Sequence, residues 1–347
     1  MYKLELFTEQ LAFADATEID TPAIDLDYLT FGAFQLKVLQ VSCKKGYFAH
    51  ITDGSALVAD CIVSDVQPGV GTVTLSLRPL QALFDVEVFA SPIPDAAAWL
   101  LEQIQQQFVS NVDTLQNRPV QITSLVRTSY PLTVGTDETI NLIDVMAQAL
   151  TTYGIFLDAH LDMRSMRIIV QILPPAASIT LEADMENVLD KSITLGDSYG
   201  SANKMIIRKA VTDSETQETT YPSQTVFFLH PNGTVDTTDE NRITPVFWKL
   251  ANLGDSETWD QDALDQAVQE LTPEQYDNEI ELKFRVGDAL VQPESIQIGT
   301  PATIYTGGLA YSSILTGTAL GNGTIKLTFG AVRVALTKQL ILQRRHR

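Results

Sequence analysis

The side chains that could do chemistry in this 347-residue chain are few: four histidines, two cysteines and an excess of carboxylates. The spacing nearest to a site is Asp158-x-His160-x-Asp162. Alternate residues of a strand point to one face, and two carboxylates with an imidazole form a donor set for a divalent metal. Two arguments count against it. Asp162 opens the turn Asp162-Met163-Arg164-Ser165, which would carry the third donor off the face, and exposed polar alternation gives the same pattern. No metal site is therefore assigned. His50, His230 and His346 stand alone in sequence, and no Gly-rich phosphate loop, HExxH or CxxC occurs. Serine, histidine and aspartate are all present, but no serine is assigned as a nucleophile. The expectation is a non-enzymatic chain with no catalytic, cofactor-binding or metal-binding residues and no cofactor.

Other reactive or recognisable groups have structural explanations. Cys43 and Cys61 lie in strand-like sequence and read as buried free thiols, consistent with assembly in a reducing cytoplasm. Asn232-Gly233-Thr234 and Asn322-Gly323-Thr324 match glycosylation sequons but are better read as hairpin turns. Trp99, Trp248 and Trp259, which a glycan-binding platform would expose, fall in or beside apolar stripes and are expected in the core.

What organises the chain is a pair of strand-rich stretches. Residues 301–341 hold two β-branched, aromatic-rich runs around a Gly-Asn-Gly turn, the second alternating Ile325, Leu327 and Phe329 with polar residues. Residues 46–84 repeat the plan about 253 residues earlier. Ile51-Thr52-Asp53-Gly54 falls on Ile304-Tyr305-Thr306-Gly307, Val58 on Tyr311, and Cys61-Ile62 on Ile314-Leu315. After one deletion, Thr72 to Leu77 falls on Thr324 to Phe329. A β-module duplicated at the two ends of a chain suggests a scaffold more than a catalytic pocket.

Between and around these copies the chain divides into four parts. Residues 1–90 read as a small β-barrel, with strands at Tyr2–Phe7, Gln35–Val41, Phe48–Thr52, Leu57–Ser64 and Thr72–Leu77 and no convincing helix. Residues 91–180 read as an inserted α+β domain. One helix opens at Ser91-Pro92-Ile93-Pro94; a second is capped by Thr136 to Thr139 and stopped by Gly154; strands at Ile155–Leu161 and Arg167–Leu173 follow. Residues 181–275 read as a strand-rich connecting domain, with strands at Ser201–Ala210 and Thr225–Leu229 and a helix over Asp255–Leu271. Residues 276–347 form the second barrel, led by Glu279–Val286. The fold class is α+β, mainly β. No apolar run approaches the ~20 residues of a membrane helix, and the N-terminus has no signal-peptide pattern.

Net charge is −20, which argues against a phosphate-binding footprint. The acids dominate up to residue 281, whereas 282–347 is basic and ends in Arg344-Arg345-His346-Arg347. The basic module is read as touching acidic protein surface.

A resemblance runs along nearly the whole chain. It is carried by Thr139 to Leu150 with Tyr153-Gly154-Ile155, by Asn203 to Ile207, and by Phe228 to Thr234 with Arg242 to Val246. Tyr276 to Ile280, Ile298-Gly299-Thr300 and Ile304 to Gly317 complete it. In this order the stretches resemble the baseplate or tail-tip hub proteins of tailed phages, the tail-associated family of long-tailed phages infecting Gram-positive bacteria. The resemblance implies a virion tail-tip protein. It implies a homotrimer whose two barrels per subunit form a six-fold-like ring on the hexameric tail-tube protein. It also implies receptor-binding or fibre partners and a central passage that DNA crosses without specific binding. Many members continue into a peptidase, lysozyme or fibre; here such activity is expected on another chain. In the lumen, acidic side chains are expected to dominate, with Arg333, Lys338, Arg344, Arg345 and Arg347 facing neighbouring subunits or the adjoining ring. The alternatives are a tail-associated cell-wall hydrolase and a glycan-binding module.

Overall fold

Apolar residues at every second position build the first sheet. The computed structural model describes residues 2–20, 22–132, 139–194, 202–213, 216–230, 235–240, 242, 246–271 and 279–333. Strands β1 (Tyr2–Phe7), β2 (Phe13–Ile19), β3 (Ile24–Asp27), β4 (Phe34–Leu39), β5 (Phe48–Asp53), β6 (Ala56–Pro68) and β7 (Thr72–Pro79) come first. All but β3 join one antiparallel sheet in the order β2-β1-β5-β6-β7-β4. It curls around Leu4, Leu6, Ile51, Cys61, Leu75 and Leu77, each buried. Strands β2 and β3 were not expected, because their short, polar sequences FADATEI and IDLD carry little apolar alternation. A buried 3₁₀ turn over Leu80–Phe84 also appears where no helix was expected.

The middle unit packs two helices on a small sheet. It holds β8 (Glu87–Phe89), α1 (Ala96–Ile104), β9 (Val120–Ser124), β10 (Thr139–Asn141), α2 (Leu142–Tyr153), β11 (Phe156–Asp162) and β12 (Arg167–Leu173). Helix α1 starts later than Pro94 suggests. Asp95 is its N-cap, accepting the Ala97 N–H, while Ile93 is held in a bridge to Leu132. Helix α2 also starts later. Thr139 and Ile140 pair with β8, Asn141 caps the helix through the Ile143 N–H at 3.1 Å, and Thr136 to Glu138 lie outside the described residues. Gly154 ends α2 in the left-handed conformation, as expected. The predicted hairpin β11–β12 forms, and β9 adds to it in parallel.

The remaining strands are β13 (Ile179–Glu182), β14 (Asp190–Thr194), β15 (Lys204–Thr212), β16 (Thr219–Leu229), β17 (Val235–Asp236) and β18 (Trp248–Gly254). Helix α3 (Trp259–Glu270) precedes β19 (Glu279–Arg285), β20 (Pro301–Thr306), β21 (Leu309–Gly321) and β22 (Thr324–Arg333). A four-stranded sheet runs β17-β16-β15-β18, and α3 covers one face, burying Ala263, Ala267 and Leu271 on Met205, Ile207 and Phe227. The last sheet runs β13-β20-β21-β22-β19-β14 around Leu282, Phe284, Ile304, Leu315, Leu327 and Phe329. Strand β3 pairs with β21 while Ile24 and Leu26 stay packed in the first sheet's core.

Candidate assembly surface

The two curled sheets are built to one register. In each, three successive antiparallel strands, β5-β6-β7 and β20-β21-β22, are joined by tight turns. The second turn of the later copy is Asn322-Gly323, both residues at positive φ, the type I′ geometry that Asn-Gly favours. Strand β4 pairs with β7 (Leu36 opposite Leu75) as β19 pairs with β22 (Leu282 opposite Leu327). The copies also share a bulge. Ser64 is skipped between Val63 and Asp65, Thr316 between Leu315 and Gly317. The hydroxyl of each skipped residue donates to the carbonyl across the ladder, Ser64 to Ser76 at 3.0 Å and Thr316 to Thr328 at 3.2 Å.

This register corrects the sequence alignment by one residue. Val58 sits in an additional bulge of the first hairpin, between Leu57 opposite Thr52 and Ala59 opposite Ile51; Ile304 stands opposite Tyr311 without one. Ala59 therefore matches Tyr311, and Cys61 matches Ser313, not Ile314. The single deletion belongs at Val58, where a bulge absorbs it; placed further on, it would turn Cys61 and Val63 out of the core.

Buried contacts tie the first sheet to the α+β unit. The Asp60 carboxylate of β6 accepts the Leu161 N–H of β11 at 2.7 Å and meets His50 Nδ1 at 2.6 Å. That hydrogen bond raises the His50 pKa above its ordinary value, against the effect of burial. The Tyr28 ring stacks edge-on against Phe156, 5.1 Å between centroids, and its N–H donates to the Thr316 carbonyl at 3.0 Å. Gly154 and Gly299 lie against each other, each with positive φ; a Cβ on either would stand under 3.0 Å from the other's carbonyl oxygen.

The surfaces left open are sheet edges, a charged cleft and one sheet face. Strands β13 and β14 end the later sheet, and all five residues of β14 are exposed. A cleft of about 470 Å³ lies where β3 and β4 meet the later sheet, and Asp25, Gln35, Lys191, Glu281, Lys283 and Lys326 line it. Burial disfavours the Lys326 charge, but its hydrogen bond to Glu281 together with the attraction of Glu281, Asp25 and Glu279 outweighs that and raises its pKa. Burial, then repulsion from Glu281, raises Glu279. No histidine or cysteine lines the cleft, so it offers paired charges suited to a polar contact. The third open surface is the face of the four-stranded sheet opposite α3, where Trp248 is 62 % and Leu250 70 % exposed.

Residues singled out in sequence are dispersed. His160 Nδ1 stands 3.3 Å from Asp158 Oδ2. Asp162 turns its carboxylate to Ser165 and the Arg164 N–H. No three His, Cys, Asp or Glu groups converge as metal ligands among the described residues. Cys61 is buried, which pushes its pKa up, and Cys43 is half-buried, its thiol pushed up to about 11. Trp99 and Trp259 are buried as expected; Trp248 is not, because its edge strand turns it away from α3. The sequon at Asn232 and residues Lys338, Arg344, Arg345 and Arg347 lie outside the described residues, as does the Arg333 side chain. A nucleophile-elbow spacing does occur in the sequence, at Gly196-Asp197-Ser198-Tyr199-Gly200. Its described flanks are both strands, β14 and β15, whereas an elbow leads from strand into helix.

No protein-family model and no curated protein matches the chain. Solved structures do. A chain of the phage P2 baseplate in its activated conformation with Ca is similar at 11 % identity and TM-score 0.53, covering 96 % of this chain and 98 % of that one. The prophage MuSo2 43 kDa tail protein from Shewanella oneidensis is similar at 12 % identity and TM-score 0.50, with 94 % and 98 % covered. The register-matched sheets, the helix-covered units between them and this likeness across nearly the full length give one conclusion: the chain has the fold of phage baseplate and tail proteins.

Proposed function

We propose that the chain is a structural virion protein, a homotrimeric hub at a phage tail tip or baseplate that caps or continues the tail tube. The observation that carries this reading is the repeat. One chain holds two curled sheets sharing register, bulge and hydroxyl bond, so three chains present six like units to a hexameric ring. The fold shared with a phage P2 baseplate chain supports it. On this reading 1–90 and 276–347 are the tube-type units, the second completed by β13 and β14, with 91–180 inserted and 181–275 connecting. The partners are a tail-tube ring protein and receptor-binding or fibre proteins, and the role is not enzymatic. DNA crosses the centre without specific binding, since acidic walls repel phosphates and the chain carries a charge of −20. Arg333, Lys338, Arg344, Arg345 and Arg347 face neighbouring subunits or the adjoining ring.

Light scattering on the purified protein tests the assembly; the expected mass is three times that of the chain. A strictly monomeric protein, at high concentration, in moderate salt and with the tail-tube ring protein added, overturns the reading. An electron-microscopy map whose channel is lined chiefly by the named basic residues overturns the lumen assignment alone.

A further inference from the structure

The four-stranded sheet has an unusual charge for an acidic chain: β15, β16 and β18 contain no Asp or Glu. Strand alternation and pairing divide their residues between two faces. On the covered face Lys209 pairs with Asp255, ahead of α3, and Lys249 with Glu270 at the end of α3. The opposite face carries Lys204, Ile206 and Arg208 of β15 beside Trp248, Leu250 and Asn252 of β18. Arg208 is fixed there, 4.3 Å over the Tyr221 ring, its Nε donating to Asn252 Oδ1 at 3.1 Å. Lys204 and Arg242 both lie over the Phe228 ring, which is buried beside Asp236 of β17, so the open part of the face lies around Trp248, Leu250 and Arg208. Trp248 and Leu250 stand exposed on β18, and half-exposed Tyr221 lies across β15 from them under Arg208; exposed apolar side chains on one face mark a contact surface.

A sheet with an apolar face requires a second layer on that face, and the charge pattern says which. Residues 255–271 contain six acids and no Lys or Arg. Asp255 and Glu270 serve the sheet beneath. Asp260, Asp262 and Asp265 carry no ion pair among the described residues. The chain already solves this problem once, by laying an acidic helix on the cationic strands β15, β16 and β18. A twelve-residue helix of about 18 Å is long enough to cross the three strands, which at ~4.8 Å spacing span about 10 Å between outer backbones.

We propose that the exposed part of this face, around Trp248, Leu250 and Arg208, docks the outer, acidic side of α3 from a second copy of this chain, head to tail. The proposal rests on the homotrimer reading and names its contact. Because the two patches differ, the contact is heterologous and closes into a ring when its rotation closes.

Sedimentation velocity over a concentration series tests it. Trp248→Glu with Leu250→Glu removes the apolar anchor and is expected to weaken self-association about 30-fold or more, the scale of a Trp hot spot. Lys204→Glu with Arg208→Glu is expected to weaken it too, and adding Asp260→Lys with Asp265→Lys to that variant is expected to restore it. Circular dichroism of each variant checks the fold. An independent readout mixes Leu250→Cys protein with Asp265→Cys protein under mild oxidant; an intermolecular disulfide between them is expected, and its absence counts against the contact. A trimer that persists unchanged in the Trp248→Glu, Leu250→Glu variant overturns this contact and leaves the hub reading standing. A wild type that is monomeric alone and assembles only with the tail-tube ring protein overturns this contact; one that stays monomeric even then overturns both. Trp248-dependent binding of a cell-wall oligosaccharide, with self-association unchanged, gives the face to a glycan and overturns the proposal.

Discussion

Asp60→Ala is expected to be among the most damaging single substitutions in the chain. The Asp60 side chain is 1 % exposed and joins two units from inside. Its loss leaves the buried Leu161 N–H without an acceptor, a cost of about 1–3 kcal/mol. It also leaves His50, 12 % exposed, without its counter-charge; breaking a buried ion pair costs about 3–5 kcal/mol. The two costs do not add in full, because His50 can release its proton. The expected loss is about 3–4 kcal/mol, a large share of the ~5–15 kcal/mol by which domains are stable. Asp60→Asn keeps one acceptor oxygen and is expected to cost about half as much. Urea unfolding followed by tryptophan fluorescence measures both, and hydrogen exchange at the Leu161 amide localises the damage. Because Asp60 ties the first sheet's core to the α+β core, the alanine variant is also expected to unfold in two steps. A loss below about 1 kcal/mol, with the Leu161 amide still protected, would show that neither bond is worth what its burial implies.

Three further outcomes are expected. His50 has a raised folded pKa, so its contribution is complete below the unfolded value of about 6.5 and fades as pH rises through the folded value; the melting temperature of wild type relative to His50→Gln should fall between pH 6 and 9, and a flat difference refutes the ion pair. Gly154→Ala puts a Cβ 2.8 Å from the Gly299 carbonyl and strains a φ of +73°; a loss of about 1–3 kcal/mol is expected by chemical denaturation, and a neutral result would mean the two units separate freely there. Ser64→Ala removes one hydroxyl bond and is expected to cost about 0.5–1.5 kcal/mol; Thr316→Val removes the matching bond and also the acceptor of the buried Gly330 N–H, so it is expected to cost about 1–3 kcal/mol more, and equal losses in urea unfolding would refute this.

The sequence by itself determined the local elements whose signal is short-range. Alternation placed β1, β5, β7 and β12, Gly154 ended α2, and Asn322-Gly323 made the last hairpin, because side-chain period and turn chemistry act within a few residues. The repeat was visible for the same reason, since each copy carries its own alternation. Tertiary structure decided what depends on partners distant in sequence. Which residue of the repeat is the extra one was settled by the Val58 bulge opposite Ile51 and Thr52. The parallel pairing of β9 with β12, the crossing of β3 to β21 and the recruitment of β13 and β14 join segments whose own patterns are too short or too polar to announce them. Trp248 shows the limit most plainly. Its neighbours Leu250 and Ala251 are both apolar, so sequence gives no sign of which face α3 will cover. Pairing with β15 turned Ala251 inward and Trp248 with Leu250 outward, because a strand shows one face to its core and the other to whatever comes next.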